Sequence, residues 1–123
     1  MSAEELRCRT MQFAIRIIHF IRSLPHKMEY QVMGKQLLRS ATSVAANYRA
    51  AGRARSRAEF YSKLSIVVEE ADEVVFWLEM IQETGISSEE LRGSSKEARE
   101  LLYILSTSRK STRENMSRTH LTK

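Results

Sequence analysis

Apolar residues recur along the chain at alternating steps of four and three, which is the period of one face of an α-helix. From Leu6 the series runs through Thr10, Phe13, Ile17, Phe20 or Ile21, and Leu24, with Ala14, Ile15 and Ile18 widening the stripe. Pro25 ends this first helix, because proline has no amide hydrogen and pushes the preceding Leu24 away from helical dihedrals. A second series, Leu37, Ala41, Val44 and Tyr48, stops near Gly52, where a left-handed cap would cost nothing. Its other positions, Ser40, Ser43, Ala45, Ala46, Ala50 and Ala51, are all small. Small side chains let helix axes approach closely, so this helix is expected at the centre of the packing or in a subunit interface.

Ser56-Arg57-Ala58-Glu59 matches a capping box, in which serine accepts from an orphan amide and glutamate reaches back, so a third helix starts here. Phe60, Leu64, Val67, Ala71, Val74, Leu78 and Ile81 then hold the period until Gly85. Two further boxes, Ser87-Ser88-Glu89-Glu90 and Ser94-Ser95-Lys96-Glu97, open a fourth stripe through Leu91, Ala98, Leu101 or Leu102, and Leu105, and Gly93 between them suggests a broken start. Beyond Ser106 the apolar period disappears, which predicts a bundle over residues 1–108 and a flexible basic tail over 109–123. Four amphipathic helices on short connections bury their stripes together as an all-α, antiparallel up-and-down four-helix bundle.

Composition agrees with this reading. One proline and four glycines in 123 residues leave few turns for a sheet protein, and 42% apolar with 28% charged residues is globular rather than disordered. The single cysteine, Cys8, cannot form an internal bridge, and the first residues lack the cationic start of a secretory leader, so a reducing cytoplasm is the expected compartment. Arg16, His19 and Arg22 interrupt the longest apolar run, so no membrane association is expected.

Charge changes the picture more. The net +5 conceals a basic block over 35–63, where Lys35, Arg39, Arg49, Arg53, Arg55, Arg57 and Lys63 face Glu59 alone. An acidic block follows over 64–106, led by Glu69, Glu70, Asp72 and Glu73, and the last stretch is basic again through Arg109, Lys110, Arg113, Arg118 and Lys123. Such blocks either neutralise one another between neighbouring helices or form a site for a polyanion, RNA or DNA. Lys35, Arg39, Arg49, Arg53, Arg55, Arg57, Arg109 and Lys110 are the candidate contacts for the second case. Antiparallel packing gathers Arg49, Arg53, Arg55 and Arg57 at one end. Pairing with Glu69, Glu70, Asp72, Glu73 or Glu79 of a neighbouring copy is the alternative use of these arginines.

Other chemistry finds little footing. No Glu-x-x-His pair exists for a di-metal bundle, and His19, His26 and His120 stand on separate elements. Gly52-Arg53-Ala54-Arg55-Ser56 lacks the second glycine and the lysine of a phosphate loop, and Cys8 has no histidine placed to act as base. No catalytic residue, metal or cofactor is expected, and the chain is read as not an enzyme.

The run Gln36-Leu37-Leu38-Arg39-Ser40-Ala41-Thr42-Ser43-Val44-Ala45-Ala46-Asn47-Tyr48-Arg49, then Arg53-Ala54-Arg55-Ser56, Glu69-Glu70-Ala71-Asp72-Glu73 and Trp77-Leu78-Glu79, resembles the bacterial proteins encoded by intervening sequences in 23S ribosomal RNA genes. The resemblance covers most of residues 10–110. It implies an up-and-down four-helix bundle assembled as a homo-oligomeric ring, a homopentamer, of poorly known molecular role and without established catalytic residues. Ala50 and Gly52 depart from the glutamate and asparagine that many members carry there. Ser40, Ser43, Asn47, Tyr48 and Trp77 are candidates for packing or the oligomer interface, with the Asn47 amide expected to bond across helices and fix register.

Overall fold

The computed structural model describes the backbone of residues 1–121 and the side chains of residues 1–118. Four helices occupy them: α1 (Ala3–Arg22), α2 (Met28–Ala51), α3 (Arg57–Glu83) and α4 (Glu89–Leu121). Backbones approach closely only between neighbours, in the cycle α1–α2–α3–α4–α1, among the described residues. Neighbours run in opposite directions. Tyr30 near the start of α2 meets Thr84 just past the end of α3, at 2.9 Å between hydroxyls, while Arg39 further along α2 reaches back to Glu70 at 3.0 Å. On the other side, Arg9 of α1 bonds Glu97 at 2.7 Å while Arg16 lies against Gly93.

The predicted stripes form the core. Phe13, Ile17, Phe20, Leu37, Val44, Leu64, Val67, Leu78, Ile81, Leu101 and Leu105 are buried in one cluster, and α3 at 27 residues gives the bundle a height of about 40 Å at ~1.5 Å per residue. Leu24 stays buried beyond the end of α1, beside Pro25, and plugs that end. Phe60 is only partly buried against this cluster.

Helix ends follow local chemistry. Ser56 accepts the Glu59 amide at 3.1 Å, as the capping box requires. Ser2-Ala3-Glu4-Glu5 forms another box that the apolar pattern does not reveal: Ser2 accepts the Glu5 amide at 3.1 Å, and its hydroxyl donates to the Glu5 carboxylate at 3.0 Å. Gly85 ends α3 with φ of +106°, a conformation glycine adopts without strain. Gly52 does not supply a left-handed cap, since its φ is −64°, and the α2–α3 turn is closed instead by right-handed backbone with the Gly52 amide donating to Tyr48 and the Arg53 amide to Ala50.

The fourth helix departs from expectation at both ends. Its cap is Ser88, whose hydroxyl accepts the Leu91 amide at 3.1 Å, and the helix runs unbroken through Gly93. The second serine pair is not a cap: Ser94 and Ser95 are buried on the inward face. Gly93 serves a close approach, because a Cβ there would collide with the guanidinium of Arg16 from α1. Residues 109–121, expected as a flexible tail, are helical. No glycine or proline follows Gly93, and Arg, Lys, Glu and Met are good helix formers, so the helix continues after its apolar partners have ended. Lys123 lies outside the described residues.

Candidate functional site

The α2–α3 turn concentrates charge because the small residues of α2 end at Ala51 and the next core position is Leu64. Arg49 sits on the last turn of α2, Arg53 and Arg55 in the connection, and Arg57 opens α3, all four exposed. Antiparallel packing delivers α4 to the same end. The Arg109 guanidinium carbon stands 5.5 Å from the ring centroid of Tyr61, one turn into α3. The Arg109 guanidinium beside it holds the Tyr61 hydroxyl below the usual tyrosine range. Past this contact α4 carries Lys110, Arg113 and Arg118, the last about three turns beyond Ser106. A cleft on the same end, lined by Glu4, Arg7, Tyr48, Arg49 and Arg53, has a volume of about 420 Å³.

Six sequence candidates, Arg49, Arg53, Arg55, Arg57, Arg109 and Lys110, therefore share one end of the bundle. Two do not. Lys35 lies toward the opposite end, beside a groove lined by Leu24, Pro25, Met28 and Val32. Arg39 is at mid-height and is engaged within its own chain, bonding Glu70 at 3.0 Å, Glu73, and the Ser40 hydroxyl at 3.2 Å. These bonds also occupy two of the carboxylates expected to meet a neighbouring copy, and Arg99 takes a third, Glu79, at 3.1 Å. Glu73 is held below the usual carboxylate range, first by its bond from Arg39. Periodicity shows which residues lie on a face, but not which helix that face meets, so this pairing was not legible in sequence.

The packing candidates divide similarly. Ser40 and Tyr48 are buried, and burial pushes the Tyr48 hydroxyl pKa up. Asn47 corrects the expected cross-helix bond: its amide donates to the Ser43 carbonyl and the Ser43 hydroxyl, both at 2.9 Å, within α2 itself. Trp77 is partly buried, donates its indole N–H to Glu73 at 3.3 Å and meets Phe76 edge-on at 4.9 Å between centroids. Phe76 itself is outward, as are Ile66, Met80, Met11 and Ile15. Among the described residues no group of three or more His, Cys, Asp or Glu side chains is placed to hold a metal ion. No helix among them is long and apolar enough to cross a membrane.

A nearest-neighbour helical bundle whose surface separates into a basic end, an acidic flank and outward apolar stripes defines the class of protein. The chain belongs to the family of 23S rRNA-intervening sequence proteins, whose model matches residues 5–107. It is similar to a solved structure of a protein of unknown function from the S23 ribosomal protein family of Bacteroides thetaiotaomicron, at 35% identity and a TM-score of 0.81, covering 89% of this chain and 99% of that one. No curated protein matches the chain.

Proposed function

We propose that the chain is a non-enzymatic, cytoplasmic assembly module that closes with copies of itself into a ring of five. The observation that carries this reading is the exposure of large apolar side chains on two unlike faces. α3 turns Ile66, Phe76 and Met80 outward at 44%, 48% and 39% exposure, among the exposed carboxylates Glu69 and Asp72. α1 turns Met11 and Ile15 outward at 45% and 40%, in one row with the exposed Arg7 and Arg22 of the same helix. Single exposed apolar residues are ordinary on a monomer, whereas stripes of them mark an interaction surface. One stripe is apolar and acidic, the other apolar and basic, so each complements the other on a second copy. Contact between unlike faces is head to tail, and head-to-tail contacts close into a ring when the rotation from copy to copy divides a full turn, and otherwise run on as a filament. The number five rests on the family resemblance.

Light scattering at micromolar concentration tests this, with a particle near five protomers expected and a monomer sinking the idea. Phe76→Glu with Met80→Glu is expected to give monomers with helical circular dichroism intact.

A second reading, an accessory role on nucleic acid or in a ribonucleoprotein, is favoured by the gathering of Arg49, Arg53, Arg55 and Arg57 with the last turns of α4. Ring symmetry would repeat this end and multiply its field. Titration against structured RNA and duplex DNA across a salt series tests it. Absence of binding at low salt, or binding indifferent to Arg53→Glu with Arg55→Glu, removes it.

A further inference from the structure

Tyr103 is 73% exposed, contributes nothing to the core and lies on the part of α4 that leads to the basic end. Tyr103, Ser106, Lys110, Arg113 and Ser117 follow at steps of three and four, so they stand in one row about 21 Å long at ~1.5 Å per residue. Between this row and α3 runs a cleft of about 180 Å³ lined by Tyr61, Ser106, Arg109, Lys110 and Arg113. Arg109 is committed to the ring of Tyr61 at 5.5 Å, which fixes the floor of the cleft. Lys110 and Arg113 are exposed and form no ion pair among the described residues. From Leu101 to Arg118 the helix carries four cations and one acid, Glu114. The carboxylates that neutralise cations elsewhere, at Arg9, Arg39 and Arg99, have no counterpart here.

We propose that this flank of α4 is a track for single-stranded nucleic acid, with phosphates on Lys110 and Arg113 and an unpaired base stacked on Tyr103. The proposal rests on the nucleic-acid reading of the basic end and names where the strand lies and which form of nucleic acid fits. A duplex hides the faces of its bases, so it has no use for an exposed phenol ring beside a row of cations. A single strand offers both a phosphate line and free base faces, and stacking on an aromatic ring tolerates any base. An acidic peptide would satisfy the cations and leave Tyr103 without a role.

The test is fluorescence anisotropy with labelled oligouridine and oligothymidine dodecamers, a duplex of equal length and polyglutamate as competitor, on the full chain, with light scattering on every variant to show that the particle is unchanged. Both single strands are expected to bind more tightly than the duplex. Tyr103→Ala is expected to weaken them about tenfold while Tyr103→Phe keeps affinity, the signature of stacking rather than charge. Lys110→Gln with Arg113→Gln is expected to reduce the slope of log affinity against log salt by about 1.4, at ~0.7 per phosphate on a single strand. Equal affinity for duplex, unchanged binding by Tyr103→Ala, or displacement by polyglutamate as effective as by unlabelled strand overturns the track. If Arg53→Glu with Arg55→Glu abolishes binding while Tyr103→Ala leaves it intact, the track is wrong and the broader nucleic-acid reading stands. No binding by the unaltered chain at low salt sinks both.

Discussion

Arg9 closes the thinnest seam of the bundle, that between α1 and α4. Its Nε donates to Glu97 Oε2 and its Nη2 to Glu97 Oε1, both at 2.7 Å, and the same Nη2 reaches Glu100 at 2.9 Å. Bonds donated to the two carboxylates, Glu97 first, hold the guanidinium pKa above its ordinary value. Arg9 and Glu97 are each 22% exposed, which places the pair between a surface ion pair, worth under about 1 kcal/mol, and a desolvated one. Charge-assisted, parallel bonds contribute about 1.5–3 kcal/mol when removed singly. Arg9→Met keeps the packed stem and leaves Glu97 and Glu100 facing each other, so we expect a loss of ~2 kcal/mol and a fall in Tm of about 8 °C, at ~4 °C per kcal/mol for a domain of this size. Denaturation is compared at one protein concentration, since assembly makes Tm depend on it. A double-mutant cycle with Glu97→Gln is expected to return about 1–2 kcal/mol of coupling. Coupling under ~0.5 kcal/mol would show that the pair is an ordinary surface contact and that the seam is held by packing alone.

Ile17 is fully buried, so Ile17→Ala is expected to cost about 2–5 kcal/mol in chemical denaturation. Gly93→Ala replaces a mid-helix glycine and displaces only the far end of the exposed Arg16, so calorimetry is expected to show a gain of up to ~1 kcal/mol rather than a loss. Glu73 has a folded pKa below its unfolded value, so its bond to Arg39 stabilises above the ordinary carboxylate pKa of about 4.3 and is lost as pH falls through the lower folded value. Arg39→Ala is therefore expected to flatten the decline of Tm below about pH 5, and Trp77 emission, through its bond to Glu73, should report the same titration.

The four stripes were legible because burial imposes a period, and Leu6, Ile17, Leu37, Leu64 and Leu105 all lie where that period puts them. The extent of α4 was not, because helix beyond the core needs only the absence of breakers, and an apolar pattern is silent about it. Gly93 was legible as a special position but not in its role, since a glycine that breaks a helix and one that admits an arginine look alike in sequence. The gathering of Arg49, Arg53, Arg55 and Arg57 at one end followed from antiparallel packing of α2 and α3 alone. The charge blocks did not reveal that Arg39 is spent on Glu70 and Glu73, nor that Tyr103 stands in line with Lys110 and Arg113 on a helix assumed to have ended.

The cyclic contact order of the helices has a kinetic consequence. Three of the four seams join segments adjacent in sequence, and only the α1–α4 seam joins the two ends of the chain. Loop-closure entropy is thus small for three seams and large for one, which places the chain with fast-folding helical proteins. The topology predicts a transition state built on the extensive α2–α3 hairpin, with α1 docking onto α4 afterwards. Substitutions in the Arg9 clasp should then accelerate unfolding and leave the refolding limb of the chevron where it was.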